Sequence, residues 1–233
     1  VAILSSGDEL RSLDQPLDAG SIYDSNRYSL TGLLNRLNLE IIDCGIVRDD
    51  PASLKQAFIE AASKADVLIS SGGVSVGEAD FTKQIMQELG DVGFWKIAMR
   101  PGRPMAFGVL KPVSGKSPAR KTLFFGLPGN PVSSFVTFLL FVRPFILKLQ
   151  GRKVIPNPSY MMRADFDWLK ADRRNEFLRV KLNQQGGLDL FPNQSSGVLT
   201  SASWGDGLVD CPSGQAIKAG DLVKYIPFSA LLT

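Results

Sequence analysis

Val67-Leu68-Ile69-Ser70-Ser71-Gly72-Gly73-Val74-Ser75-Val76-Gly77 is the stretch whose reading decides the fold. Its aliphatic opening has no polar interruption, which is the pattern of a strand buried on both faces in a parallel sheet. The run stops at Ser-Gly-Gly, and a helical pattern continues through Ile85, Met86 and Leu89, with Gly90 as its expected end. Strand, glycine turn and helix in that order make half of a parallel crossover unit. Glycines at Gly72, Gly73 and Gly77 let the backbone approach a ligand, and free amides ahead of a helix favour a phosphate. In an open α/β sheet such a turn lies at the carboxyl end of a strand, where ligands bind. The same residues also suit a tight turn that holds nothing. No Gly-Lys-Ser/Thr comes at the required spacing, so the turn is not a P-loop.

The flanking sequence repeats the unit. Val1–Leu4 predicts a strand, and Leu30, Leu33, Leu34 and Leu37 share one helix face after Asp24, Ser25 and Asn26, any of which suits the cap. Leu39–Cys44 predicts the next strand. Asp50 and Pro51 then open a helix that buries Leu54, Ala57, Phe58 and Ala61. Beyond Ile69 come an expected strand at Phe94–Met99 and an antiparallel pair, Met105–Leu110 with Thr122–Phe125, around an exposed loop at Lys111–Lys121. The apolar stretch Val132–Leu147 is interrupted by Arg143 and Pro144, too soon to span a bilayer, and reads as a buried helix. After Gly151 the pattern becomes short strands between Gly, Asn, Asp and Pro. The expected organisation is a three-layer, mostly parallel α/β domain at 1–152 and a small all-β domain at 153–233.

Composition narrows the chemistry. The chain has 233 residues, 44% of them hydrophobic, and a net charge of +3 without a basic stripe, so neither disorder nor a nucleic-acid partner is expected. Cys44 and Cys211 form no ligand spacing or disulfide framework, which fits a reducing, cytoplasmic setting. The chain contains no histidine, which excludes within it a Ser-His-Asp triad, a His-bound zinc and an imidazole base. Chemistry must come from carboxylates, Lys, Arg, hydroxyls, amides and bound ions. The chain opens at Val1 inside a strand without an initiator Met, which predicts a piece of a longer protein.

Three further groups carry candidate chemistry. Gly126-Leu127-Pro128-Gly129-Asn130-Pro131 is a second rigid turn into a helix, equally suited to a ligand or to structure alone. Arg100-Pro101-Gly102-Arg103-Pro104 sets two cations around a stiff turn, and with Lys96 on the same expected strand it suits an oxyanion. Glu9, Asp49 and Asp80 fall just past strand ends or at helix starts. On one sheet rim they would make a site for Mg2+ and phosphate, although Asp80 also has a plain role in charging a helix start.

Taken together, Ser71–Asp80, Arg100–Pro104 and Gly126–Pro131 resemble the molybdopterin molybdenumtransferase family, called MoeA in bacteria and related to the C-terminal part of gephyrin. Ser6-Gly7-Asp8-Glu9-Leu10 and Ile22-Tyr23-Asp24-Ser25-Asn26-Arg27 fit the same family, so the resemblance covers essentially the whole chain. It implies a molybdopterin-binding, MogA-like α/β domain. It also implies a transferase of molybdenum cofactor biosynthesis that inserts molybdate into adenylylated molybdopterin and releases AMP with Mg2+. Ser71, Gly72, Gly73, Ser75, Gly77, Arg103, Gly126, Pro128, Gly129 and Asn130 would hold the pterin phosphate end. Glu9, Asp49 and Asp80 would bind the metal, and Lys96 and Arg100 would face the anionic substrate. Arg100 and Arg103 stand where the family commonly has lysine, which replaces a point charge by a planar fork. Family members also carry N-terminal domains that build a homodimer, and this chain matches only the part beyond those domains. The alternative is a gephyrin-like scaffold module without catalysis, against which the three acids speak. A related domain acting on nicotinamide or ADP-ribose compounds is disfavoured by the β segment, including Ser196-Gly197-Val198-Leu199.

Overall fold

Ala2–Ser6 (β1) is buried along its whole length, as an aliphatic run inside a sheet must be. The computed structural model describes residues 1–73, 79–102, 104–112, 121–153 and 156–232, without the side chains of 79–81, 83 and 94. Leu10–Arg11 (β2) and Ile22–Tyr23 (β3) form a short parallel pair. Ser25–Asn35 (α1) is capped by Asp24, whose carboxylate accepts the Arg27 N–H, and it buries Leu30, Leu33 and Leu34. Ile42–Val47 (β4) starts later than the sequence predicts. Asn38 turns the chain with a left-handed φ of 53°, and pairing with β1 begins only where the Ile42 N–H reaches the Val1 carbonyl.

Pro51–Lys64 (α2) has Asp50 as its N-cap, accepting the Ser53 N–H, and Pro51 at its first position, as expected. Val67–Ser71 (β5) and Ala79–Leu89 (α3) flank the first glycine turn. Gly90 does not cap α3 but opens Gly90–Lys96 (β6), where a side chain would strike the Val109 carbonyl. Met99–Arg100 (β7) is a separate short strand, so the single strand expected at 94–99 is two. Pro104–Leu110 (β8) and Thr122–Leu127 (β9) form the expected antiparallel pair.

The first sheet runs β4-β1-β5-β9-β8-β6. β4, β1, β5 and β9 are parallel, and β8 is antiparallel to both of its neighbours, so β6 points the same way as β9. On one face Ala2, Leu4, Leu68 and Phe124 meet Leu54, Phe58 and Ala61 of α2 and Ile85 and Met86 of α3. Phe58 stands edge-on to Phe124 with ring centroids 5.8 Å apart. Strand alternation sends Ile3, Ile69 and Phe125 to the opposite face, and they are fully buried too. A mostly parallel sheet covered on both faces is the three-layer α/β arrangement.

Pro131–Thr137 (α4), a π-turn at Phe138–Val142 and Arg143–Leu149 (α5) run on as one helix of 19 residues. The helix carries through Arg143-Pro144, as the sequence reading of one buried helix expects. Proline lacks an N–H and its ring crowds the carbonyl four residues back. The π-turn widens the helix at that place by sending the Arg143 N–H to the Phe138 carbonyl. By length and composition the helix is apolar enough to cross a membrane. Within the protein, 61% of its most apolar window is buried, the condition of a core helix.

Tyr160–Arg163 (β10), Asn175–Leu182 (β11), Leu188–Leu190 (β12), Gly207–Cys211 (β13) and Leu222–Pro227 (β14) form the second sheet, ordered β10-β14-β13-β11-β12, with β7 also beside β11. Leu178, Val180, Leu188, Val209 and Tyr225 make its core, and Thr200–Trp204 (α6) and Phe228–Leu231 (α7) are short. The chain divides into two compact units, 1–96 with 104–130 and 97–103 with 131–233. The apolar helix therefore groups with the β-rich unit, whereas the sequence reading puts the division after 152.

Candidate ligand-binding site

Strand direction in the first unit decides which turns meet. β1, β4, β5, β9 and β6 all end on one edge of the sheet. That edge therefore collects Glu9 after β1, Asp49 after β4, Ser71-Gly72-Gly73 from β5, Gly126–Asn130 from β9, and Lys96 from β6. These positions are scattered over most of the unit's length, and only the topology unites them.

Gly72 and Gly73 have φ of 89° and 67°, left-handed values that side chains resist. A Cβ on Gly72 would run into the Ser6 carbonyl, and one on Gly73 would lie 2.9 Å from Thr82 Oγ1 and 3.0 Å from Ser6 Oγ. The turn is thus pressed against the end of β1. The Gly72 N–H donates to the Leu127 carbonyl at 3.3 Å, and the Cβ position of Gly129 lies 3.8 Å from Gly72 Cα, so the two glycine turns touch. Asn26 in the first turn of α1 donates from Nδ2 to the Gly129 carbonyl at 2.7 Å. Beneath them Ser5 and Ser71 share a buried hydroxyl–hydroxyl hydrogen bond of 3.0 Å.

The acids occupy the neighbouring stretch of the edge. The Asp49 N–H donates to Asp8 Oδ1 at 3.3 Å, and the Glu9 carbonyl accepts the Ile22 N–H at 2.8 Å. Asp8 and Glu9 are exposed, and Asp49 is half-buried. Among the described residues no group of three or more acidic or thiol side chains could by itself hold a metal ion. A cation that takes one or two carboxylates and completes its shell with water and substrate phosphates, as Mg2+ does, would need no such group. Backbone amides at glycine turns and an edge lysine are groups of the kind that bind a phosphate-bearing anion.

Lys96 is exposed at the end of β6. Lys96→Ala is expected to weaken an anionic ligand several-fold at low salt, the deficit shrinking as salt rises. A deficit that salt does not alter, measured by calorimetry, would remove Lys96 from the site.

Arg100 has acidic partners of its own. It lies on β7, in the second unit, and its Nη1 stands 3.5 Å from Asp172 Oδ2 and 3.4 Å from Glu176 Oε1. Glu176 is 2% exposed and also accepts from Trp168 Nε1 at 2.7 Å. Asp172 is held well below the usual carboxylate range, first by Arg174 and with help from Arg100. Arg100→Ala should destabilise the protein by about 1–2 kcal/mol, because a buried carboxylate loses one of its cations while keeping one donor. Thermal unfolding reads this; an unchanged midpoint with weakened ligand would assign Arg100 to the ligand instead.

Ser75, Gly77 and Arg103 lie outside the described residues, as does the Asp80 side chain, although Asp80 itself is the second residue of α3. Sequence reasoning offers Asn26 only as one of three candidate caps for α1, a place that Asp24 takes, and gives Ser6 and Thr82 no role. The Ser6–Leu10 and Ile22–Arg27 motifs contain Ser6 and Asn26 without saying what either residue does.

A three-layer α/β unit with two touching glycine turns at the carboxyl edge of its sheet, joined in sequence to a small β unit, defines the class of α/β proteins whose ligand edge is built from strand-to-helix turns. Residues 2–148 match the family model described as a probable molybdopterin binding domain, and residues 162–228 match the MoeA C-terminal region (domain IV). The chain is 46% identical over its whole length to the molybdopterin molybdenumtransferase of Haemophilus influenzae and 34% identical over 97% of its length to gephyrin of Dictyostelium discoideum. It covers 57% and 36% of those proteins. The solved MoeA protein of Pyrococcus horikoshii superposes with a TM-score of 0.79 at 33% identity, over 97% of this chain and 54% of that one. The chain belongs to the MoeA family of molybdenum cofactor biosynthesis, and it spans about half the length of the molybdenumtransferases it matches.

Proposed function

We propose that the chain supplies the molybdopterin-handling part of a molybdopterin molybdenumtransferase, which inserts molybdate into adenylylated molybdopterin and releases AMP. The observation that carries this reading is the contact between the Gly72-Gly73 and Gly126–Asn130 turns on the edge that also holds Glu9, Asp49 and Lys96. Cleaving a phosphoanhydride needs positioning and charge neutralisation more than a covalent intermediate. That requirement suits a chain without histidine.

In this reading the turn amides, with Ser75, Gly77 and Arg103, hold the phosphate end. Lys96 neutralises the anion, and Arg100 is reserved for the acids it already pairs with. Glu9, Asp49 and Asp80 would hold Mg2+, whose contribution when bound is to offset charge on the phosphates. Domains at 1–152 and 153–233 are proposed on the family spans, which stop at 148 and resume at 162. A homodimer of the whole protein in the cytoplasm is proposed on the family relationship alone.

Calorimetric titration of the folded chain with molybdopterin, then with its adenylylated form and Mg2+, tests the reading. Saturable binding of either is expected. A folded chain that binds neither would sink this proposal and favour the scaffold module, for which the relationship to gephyrin stands.

A further inference from the structure

Asn26 is 8% exposed, and its two polar atoms have opposite fates. Nδ2 donates to the Gly129 carbonyl at 2.7 Å, while Oδ1 is buried with no hydrogen-bond partner among the described residues. A buried acceptor left unpaired is costly and calls for an explanation. Asp24 Oδ2 and Arg27 Nε are unpaired in the same region, but they face each other at 3.7 Å as an ion pair, which accounts for both. Nothing comparable accounts for Asn26. Its Oδ1 and Nδ2 share one planar carbon, so the free oxygen stands at the Gly126–Asn130 turn, where that turn meets Gly72.

We propose that Asn26 contacts the bound molecule directly, its Oδ1 accepting a hydrogen bond from an N–H or O–H of the part that is not phosphate. This rests on the reading above, that the turns hold a phosphate-bearing ligand. An ionised phosphate presents only acceptor oxygens and would repel the Asn26 carbonyl. The oxygen therefore marks where a donor-bearing portion, such as a heterocyclic N–H or a hydroxyl, leaves the phosphate cradle. The amide end keeps Gly129 in place while the carbonyl end reads the ligand, one side chain serving both.

The test compares the unaltered chain with Asn26→Leu, and with Asn26→Ala should leucine disturb folding, using molybdopterin and inorganic pyrophosphate as probes. Thermal unfolding checks each variant. Affinity for molybdopterin is expected to fall at least tenfold further than affinity for pyrophosphate. Equal losses for both probes would show that Asn26 only positions the turn, and an unchanged molybdopterin affinity would show that it touches nothing; either overturns the proposal. A loss that disappears in EDTA would mean the oxygen serves a cation, which overturns it as well. Failure of the unaltered chain to bind molybdopterin would instead overturn the functional reading on which the proposal rests.

Discussion

Gly73→Val is expected to abolish measurable binding of the phosphate-bearing ligand, a loss of at least about 100-fold, and to cost about 2–3 kcal/mol of stability. Two terms combine. Gly73 has a φ of 67°, a region where a β-branched residue is strained whatever space surrounds it. Its Cβ would also lie 2.9 Å from Thr82 Oγ1 and 3.0 Å from Ser6 Oγ, and the branch adds two methyls beyond that point. Relief requires the turn to lift from the end of β1, which re-aims the amides that the phosphate would meet. Gly73→Ala separates the terms, since it keeps the backbone strain while asking less of Ser6 and Thr82. Calorimetry and thermal unfolding on the same samples read affinity and stability together. A folded Gly73→Val chain that binds as tightly as the original would exclude this turn as the phosphate cradle.

How much the sequence discloses depends on how local each determinant is. Asp50 capping α2 with Pro51 behind it, the β5 strand and the antiparallel β8–β9 pair are fixed by neighbouring residues, and all are legible. The start of β4 is misplaced by a sequence reading because Asn38 adopts a left-handed turn, which residues other than glycine do rarely. The buried helix across Pro144 is legible too, but the π-turn that makes room for the proline has no composition of its own. The site divides in the same way. Its glycine turns announce themselves, but the acidic partners of Arg100 do not. The pairing of β7 with β11, which sets Met99 beside Asn175 and Arg100 beside Glu176, lies beyond any local pattern. Asn26 acquires its meaning only when Gly129, 103 residues away, arrives beside it. Burial without a partner is a property of the folded chain alone.

The acids offer the sharpest separation between chemistry and folding. Asp49→Asn, placed in a full-length background, is expected to lower turnover by about 10²–10³-fold. Its stability should change by no more than about 0.5–1 kcal/mol. Asp49 is half-buried, its main-chain N–H contact with Asp8 survives the substitution, and capping of α2 belongs to Asp50. Asparagine keeps the shape and removes the charge, so a fall in turnover without a fall in stability isolates the electrostatic role. Asp80→Asn should behave alike, with a small added cost because a carboxylate in the first turn of α3 favours the helix dipole. If both acids serve one Mg2+, the double variant will lose much less than the product of the single losses, and each single variant will need more Mg2+ to reach half its own maximal rate. Multiplicative losses with an unchanged Mg2+ requirement would mean that the two acids act separately. Full activity in Asp80→Asn would remove that residue from the metal role altogether, and the rim would be left with Glu9 and Asp49 as the carboxylates able to share a cation with the phosphates.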